Sequence, residues 1–377
     1  MKICLIELMP FPYTIGGGTT HLINLGKALS NLGNEVHIIS SRPADDYKKV
    51  KNIPKELKIH NVGIKHKKFG GGISYYFYRI FFEASFVLSA RKKINEIKPD
   101  AIDCQSAITT ALPAALSKYP FVITAHGIHS EGFEKLYMAK GKKFAAKFLN
   151  KIYHLISRFN AKRAKKIISQ GRETLDFYTK LADGDDSKGV IIPNLVDIDY
   201  WKFTKNKDKK LIVTAARFTK QKALDKLIVA MKSLNDFKLL LIGGGELEKQ
   251  LKSIAGKNVR FLGFQPIEVC LKKYEKARFT VLPSEFEGLP YSILESMSCG
   301  VIPVVTKVGE LNNLIKEGVN GFFLKDNSSE SIAEKIRSIS SKNLDKISQN
   351  ARKTIVDGWG LEKIGRRFLE AYEACLA

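Results

Sequence analysis

Short apolar runs alternate with longer helix-patterned stretches from one end of the chain to the other, and that alternation restricts the fold more than any other feature. In the first half the strand-like runs are KICLIEL, EVHIIS, AIDCQ, FVITAH and KKIISQ. Between the first two lies HLINLGKALSNLG, where Leu22, Leu25, Leu29 and Leu32 keep helical spacing and Gly33 can close the helix. This is the pattern of parallel-sheet α/β layers. After IIPNLVDIDYW the composition shifts to a polar, lysine-rich stretch, KFTKNKDKK. The alternation then resumes with LIVTAA, FKLLLIGG, VRFLG, FTVLP, VIPVVT and GFFLK. A length of 377 residues suits two domains better than one. The expected division is 1–193 and 194–359, with a last helix at about 360–377 packing back on the first domain. In open parallel sheets ligands sit at the carboxyl ends of strands, so a cleft between two such domains is the expected site.

Charge sets the class of partner. The chain carries 62 Lys and Arg against 38 Asp and Glu, a formal net of +24, which favours anionic partners: nucleotides, phospholipid headgroups or nucleic acid. No RNP-type aromatic motif, zinc finger or helix-turn-helix signal supports specific nucleic-acid binding. The five cysteines are scattered without a CxxC pair, which reads as reduced thiols in a cytoplasmic protein. The opening MKICLIELMPFP is too short an apolar run for a signal peptide and reads as a first buried strand. No uninterrupted apolar stretch reaches the roughly 18 residues of a membrane span.

The strongest local signal runs from Pro283 to Glu295, PSEFEGLPYSILE, and continues into SMSCGVIPVV. A strand ends, a glycine-containing turn follows, and Pro290 suits the first turn of a helix. The backbone amides at Leu289 to Ser292 would point from that helix N-terminus toward the cleft, where free N–H donors and the helix dipole favour a diphosphate. Glu287 stands before the helix and Glu295 within it. Acceptor-only carboxylates suit the paired hydroxyls of sugars and riboses. A lone EGLP also reads as an ordinary loop; the longer glutamate–turn–helix–glutamate arrangement is much less accidental. A second signal is Ala216-Arg217-Phe218-Thr219-Lys220-Gln221-Lys222, after the strand LIVTAA. Arg217 and Lys222, five apart on a strand-end loop, can reach one diphosphate, although basic pairs are common in a chain this basic.

In the first half, Ile15-Gly16-Gly17-Gly18-Thr19-Thr20-His21 follows the first strand and precedes a helix. Glycines there let backbone approach a phosphate or sugar, or simply make a turn. The spacing is not GxGxxG, so a dehydrogenase-type dinucleotide site is unsupported. His126 sits at a strand end in FVITAHGIH, with His129 as a lower-ranked alternative. Asp197-Ile198-Asp199 fits a DxD metal pattern but follows IIPN and reads as a structural linker; no metal is expected.

These motifs, in order and at matching spacing over nearly the whole chain, resemble family 4 of the retaining glycosyltransferases. ARFTKQK resembles that family's GR-x-x-x-x-K loop, FLGF its base-side turn, EGLPYSILE its glutamate–seven–glutamate motif and VGELNNLIKEGVNGFFL the segment that follows. The resemblance implies the GT-B fold, two Rossmann-like α/β domains facing each other across a cleft, with acceptor bound by the first and nucleotide sugar by the second. It implies metal-independent transfer with retention and no cofactor, the nucleotide sugar being the donor substrate. Arg217 and Lys222 would hold the donor diphosphate, and Glu287 and the amides of Gly288 to Tyr291 the transferred sugar. Glu295 would hold the ribose, and Gly263 and Phe264 would lie near the base. Gly17 and Gly18 would border the diphosphate and the acceptor, and His126 would contact the sugar. The family usually has glycine where Ala216 and Ala223 stand, which bears on the geometry of that loop. A same-fold phosphorylase or sugar-nucleotide epimerase is the rival within the fold, and a basic nucleic-acid-binding protein the rival outside it.

From Lys135 to Lys166 there are eleven Lys and Arg and no acidic residue. Lys143, Lys147, Lys151, Arg158, Lys162 and Lys165 form one stripe at helical spacing. Phe144, Phe148, Ile152, Leu155 and Phe159 form a second beside it. The apolar stripe can pack on the first domain's sheet with the lysines solvated. Alternatively the basic face, with the aromatic-rich Tyr75 to Phe86, rests peripherally on an anionic membrane. The second reading favours a lipid-linked or other glycan acceptor.

Overall fold

The computed structural model of the chain describes residues 1–14, 16–47, 49–50, 53–66, 73–128 and 143–376; the side chains at 73–77, 143–146 and 148–149 lie outside the description. Ile15, His129, Tyr75, Lys143, Phe144 and Phe148 therefore lie outside the described residues or side chains. The chain divides into two compact units, Met1–Pro193 with Glu362–Ala377, and Asn194–Leu361.

Among the described residues, the first unit carries a seven-stranded sheet in the order β3-β2-β1-β4-β5-β6-β7. Its strands are β1 (Lys2–Glu7), β2 (Glu35–Arg42), β3 (Lys58–Lys65), β4 (Ala101–Cys104), β5 (Phe121–Ala125), β6 (Lys166–Ser169) and β7 (Gly189–Ile191), and every pairing is parallel. Helices α1 (Gly17–Asn31), α2 (Ile73–Ile97), α3 (Leu112–Ala115), α4 (Lys143–Arg163) and α5 (Arg172–Leu181) make the connections. In β1, Ile3, Cys4, Leu5 and Ile6 are all fully buried, as a strand covered on both faces requires. Cys4 and Ile6 pack with Phe86, Ala90 and Ile94 of α2.

The second unit carries a six-stranded parallel sheet in the order β10-β9-β8-β11-β12-β13. The strands are β8 (Asp208–Ala215), β9 (Lys238–Ile242), β10 (Val259–Gly263), β11 (Ala277–Leu282), β12 (Ile302–Val305) and β13 (Phe322–Phe323). Around it lie α6 (Leu224–Met231), α7 (Glu248–Ile254), α8 (Ile267–Tyr274), α9 (Tyr291–Ser298), α10 (Leu311–Leu314), α11 (Ser329–Ser340) and α12 (Asp345–Gly358). Alternate side chains feed opposite cores: Ile212, Leu239, Phe279 and Ile302 enter one, while Val213, Ile242, Leu282 and Val305 enter the other.

In each sheet the strand order reverses once at the centre, between β1 and β4 and between β8 and β11. The glycine-rich turn follows β1. Arg217 and Lys222 follow β8, and Glu287 follows β11, so the singled-out residues stand beside these reversals.

The last helix, α13 (Leu361–Glu373), closes the first unit from beyond the second. Gly365 lies so close to α1 that an added Cβ would stand 2.8 Å from the Cβ of Ala28. Arg367 Nη2 donates to the Ile191 carbonyl at 2.6 Å, and Tyr372 Oη donates to Asp103 Oδ2 at 2.6 Å. Asp103 is fully buried on β4, and desolvation raises its pKa to about 6 despite the hydrogen bond from Tyr372. Ionisation of Asp103 therefore costs the folded state stability as pH rises from 3.8 through about 6.

Tyr372→Phe is expected to lower the unfolding free energy by about 1–3 kcal/mol at neutral pH, read by denaturant titration. The deficit should shrink toward pH 4, where the carboxyl of the folded protein is protonated. An equal deficit at both pH values would mean that lost packing, not the hydrogen bond to the carboxylate, is responsible.

Candidate active site

The loop after β8 is pinned by Phe218, whose ring is fully buried, and this turns the neighbouring Arg217 outward into solvent. The backbone of the loop nests against the turn after β9. The Ala216 amide donates to the Ile242 carbonyl (3.0 Å), the Phe218 amide to the Gly244 carbonyl (2.9 Å), and the Leu247 amide to the Phe218 carbonyl (3.1 Å). Only glycine permits so close an approach. A Cβ at Gly243 would stand 2.0 Å from the Ala216 oxygen, and one at Gly245 would stand 2.5 Å from the Phe218 oxygen. The sequence reading passed over this GGG run, although three successive glycines after a strand are a visible signal of close backbone contact.

The loop then tightens into a short 3₁₀ turn, Lys220–Lys222, and brings Lys222 to Glu287. Lys222 Nζ donates to both carboxylate oxygens of Glu287, at 2.5 and 2.7 Å. Ser284 Oγ donates to Glu287 Oε1 at 2.6 Å. The pair is largely withdrawn from solvent, with side-chain exposures of 16% for Lys222 and 5% for Glu287. Further bonds tie the same two loops: Gln221 Nε2 donates to the Phe286 carbonyl (2.8 Å), and the Glu285 amide to the Gln221 carbonyl (2.9 Å). Gly309, at φ 50°, backs the arrangement; a Cβ there would stand 1.8 Å from the Glu287 carbonyl oxygen.

Pro290 leads into α9, whose N-terminus carries no side-chain cap and no acidic residue in its first turn. Its positive end is therefore left unneutralised by its own sequence. Gly288 is exposed there, and Leu289 and Tyr291 are buried. Asn194 Nδ2 holds the approach by donating to the Leu289 carbonyl at 2.7 Å. One turn inside α9, desolvation raises the Glu295 carboxyl to about 7. Gly263, at φ 69°, accepts from the Gly243 amide at 2.9 Å through its carbonyl. Phe264 follows, 56% exposed, with its ring edge 2.8 Å from where a Cβ on Gly244 would lie. An aromatic face is thereby held open to solvent against a glycine floor.

In the first unit, Gly17 and Gly18 are exposed at the start of α1, which also lacks a side-chain cap and first-turn acid. His126 follows β5 and is held through both ring nitrogens. Its Nε2 lies 2.9 Å from Gln105 Oε1, and its Nδ1 lies 2.9 Å from Gln170 Nε2. The edge of His21, from α1, meets the His126 ring at a centroid distance of 4.6 Å. With the amides so oriented, Gln105 Oε1 can accept only from a proton on Nε2, and Gln170 Nε2 can donate to Nδ1. Gln105 and Gln170 end the runs AIDCQ and KKIISQ, where polar residues closing apolar strands were the available signal. Glu7 is another residue the sequence reading did not single out. Its Oε1 accepts from the Met9 amide at 3.1 Å, and its Oε2 lies 3.8 Å from the position of a Cβ on Gly18. Burial raises its pKa to about 7, against the pull of the Met9 and Leu8 amides.

Two sequence motifs take other roles. Asp197 Oδ1 accepts from the Tyr200 amide (3.1 Å), and its carbonyl accepts from the Trp201 amide (3.0 Å), so it shapes a turn. Among the described residues no group of three or more His, Cys, Asp or Glu could hold a metal ion. On α4 two described members of the apolar stripe face solvent. Tyr153, Ser157, Asn160 and Ala161, with Ala164 just beyond the helix, are buried, whereas Leu155 (57%) and Phe159 (41%) are exposed. The small residues let the helix approach α3 and the sheet, and this rotates the larger side chains outward.

Comparison with known proteins decides the family. Residues 15–200 match the family model described as Glycosyltransferase Family 4, and residues 197–354 match the one described as Glycosyl transferases group 1. The chain belongs to glycosyltransferase family 4. An uncharacterised glycosyltransferase of Methanocaldococcus jannaschii is 29% identical to this one over 345 residues, 87% of this chain and 86% of that protein. The UDP-Gal:alpha-D-GlcNAc-diphosphoundecaprenol alpha-1,3-galactosyltransferase of Escherichia coli is 28% identical over 306 residues, 74% and 76% of the two chains. Among solved structures, Anabaena HepE in complex with UDP and glucose superposes with a TM-score of 0.74 at 18% identity, covering 99% of each chain. The fold of this glycosyltransferase is GT-B, two parallel-sheet α/β units in succession.

Ala223 gives the glycosyltransferase's basic loop a measurable strain. It follows Lys222 in the left-handed conformation, φ 45° and ψ 39°, where a side chain costs about 1–2 kcal/mol. Ala223→Gly is expected to raise stability by about 0.5–1 kcal/mol once the greater freedom of glycine in the unfolded chain is offset. Thermal unfolding of the variant checks this, and a lowered melting temperature would locate the strain elsewhere.

Proposed function

We propose that this glycosyltransferase moves a sugar from a UDP- or GDP-linked donor to an acceptor hydroxyl on a lipid-linked or cell-envelope glycan, with retention of configuration and without a metal. The observation that carries the reading is the meeting of Lys222 and Glu287 beside the uncapped N-terminus of α9, on the two loops that flank the strand-order reversal. A cation, a carboxylate and free amides supply what a phosphate next to a sugar requires. In this reading Arg217, Lys222 and the α9 amides take the diphosphate charge. Glu287 accepts from the transferred sugar, Glu295 from the ribose, and Phe264 with Gly263 borders the base. In the first unit, Gly17 and Gly18 border the diphosphate and acceptor, and His126 contacts the sugar.

The reaction in this reading begins with rupture of the bond between the anomeric carbon and the phosphate oxygen. Developing charge on the leaving diphosphate is met by Arg217 and Lys222, the kind of electrostatic stabilisation that usually dominates. The acceptor hydroxyl arrives on the face the phosphate leaves and gives its proton to the departing phosphate oxygen. A new glycosidic bond and a free nucleoside diphosphate result. The Escherichia coli relative supports a lipid-diphosphate acceptor by its name, and the family supports transfer over phosphorolysis, epimerisation or nucleic-acid binding.

A peripheral membrane contact belongs to the same reading, and the first unit's surface supports it. Leu155 and Phe159 stand one turn apart on α4 among exposed Lys147, Lys151, Arg158 and Lys162, and Ile80, Phe81 and Leu88 are exposed on α2. Apolar side chains set within cations match an anionic bilayer surface. No described helix is long and apolar enough to cross a membrane.

Metal-free thermal shifts with UDP-, GDP- and ADP-sugars test the donor. One nucleotide class should stabilise the chain, and Glu295→Ala should abolish that shift. Because Glu295 must be ionised to accept from both ribose hydroxyls, affinity should fall as pH drops through about 7. Stabilisation by no nucleotide would remove the donor assignment. For the membrane, Leu155→Asp with Phe159→Asp should reduce sedimentation with phosphatidylglycerol vesicles by about tenfold. Unchanged sedimentation would leave only non-specific attraction of a basic protein.

A further inference from the structure

We propose that the Lys222–Glu287 ion pair makes this site select the intact nucleotide sugar over the free nucleoside diphosphate, so that the spent nucleotide is rejected once the sugar has left. The inference rests on the donor reading above and concerns how its two halves compete. Lys222 has three N–H donors, and two of them are engaged by Glu287 at 2.5 and 2.7 Å. A diphosphate drawn to Lys222 must therefore take it, wholly or in part, from a carboxylate that is only 5% exposed. Glu287 would then keep the Ser284 hydroxyl at 2.6 Å as its one side-chain donor. A buried carboxylate deprived of its cation is costly unless other donors replace it.

The two ligands differ in how they meet that cost. An intact donor brings sugar hydroxyls to Glu287 as it brings phosphate to Lys222, so both partners of the broken pair are satisfied at once. A nucleoside diphosphate satisfies Lys222 alone and adds anionic charge beside an anion. The loops offer little escape by moving apart. They are bound to each other through Gln221, Glu285 and Phe286, and Gly309 is packed against the Glu287 backbone. The pair thus couples recognition of the sugar to recognition of the phosphate.

Calorimetric titration with UDP, GDP and ADP, and with UDP-glucose, GDP-mannose and ADP-glucose, tests this on the wild-type chain, E287Q and S284A. In E287Q the free nucleoside diphosphate of the accepted class should bind about tenfold more tightly, and its disadvantage against the nucleotide sugar should largely vanish. In S284A the carboxylate depends more on Lys222, so the nucleoside diphosphate should bind more weakly, with the nucleotide sugar less affected. Opposite shifts from two substitutions at one carboxylate are not expected of a general loss of structure, and S284A keeps the test alive should E287Q fold poorly. An unchanged or weaker nucleoside diphosphate in a folded E287Q would overturn the inference, as would equal gains for both ligands. Failure of every nucleotide to bind the wild-type chain would instead overturn the donor reading, and the inference with it.

Discussion

Two neighbouring parallel strands whose connections leave in opposite directions cannot both have their carboxyl ends covered by the same crossover. The loops that follow them are left free to take up a ligand. Each sheet of this chain has one such place, between β1 and β4 and between β8 and β11. Glu7 ends β1, Gly17 and Gly18 follow it, and Gln105 follows β4; Lys222 follows β8, and Glu287 follows β11. The chemistry-bearing groups are far apart in sequence because the reversal, not local chain proximity, brings them together. Sixty-five positions separate Lys222 from Glu287, and only the adjacency of β8 and β11 closes that gap.

What the topology leaves open, backbone packing makes rigid. The loops after β8, β9, β11 and β12 touch through main-chain atoms at distances that forbid a Cβ at Gly243, Gly245 or Gly309. Main-chain hydrogen bonds through these contacts, with the Phe218 ring and the Gln221 side chain, hold the loops, while Arg217 and Phe264 remain exposed. The same enclosure acts on charge. Glu7 and Glu295 are both raised to about 7 by desolvation, one in each unit. Carboxyls in that condition exchange between accepting and donating hydrogen bonds near neutral pH, which suits partners with hydroxyl groups.

The sequence was most readable where function and local pattern coincide. Alternating apolar runs correspond to parallel strands, and short-range spacing specifies the strand-end loop from Ala216 to Lys222 and the loop and helix start from Pro283 to Glu295. What it hid was every fact created by distant packing. Glu7 looks like an interruption in an apolar run, and its enclosure beside Gly18 depends on how the chain returns after β1. Gln105 and Gln170 are lone residues at strand ends until three strands align them around His126. The stripe on α4 misled for a related reason. Periodicity identifies a face but not which face the neighbours accept, and here the small residues Ser157, Ala161 and Ala164 go inward while Leu155 and Phe159 do not.

The charge of +24 illustrates the same division between amount and placement. Many of the cations are spent in exposed pairs such as Lys58–Glu35, Lys162–Asp183 and Lys210–Asp236, which add little to stability or recognition. An excess spread over the surface raises encounter with any anion and distinguishes none. Discrimination has to come from groups whose solvation is already lost, since only there does a missing or added hydrogen bond carry its full energetic weight. Lys222 with Glu287 comes nearest to that condition, the half-buried Glu295 and His126 meet it in part, and the lysine-rich face of α4 does not. On the proposed function, recognition would reside in a few groups withdrawn from solvent beside the strand-order reversals, and the surface charge would only raise encounter with anions.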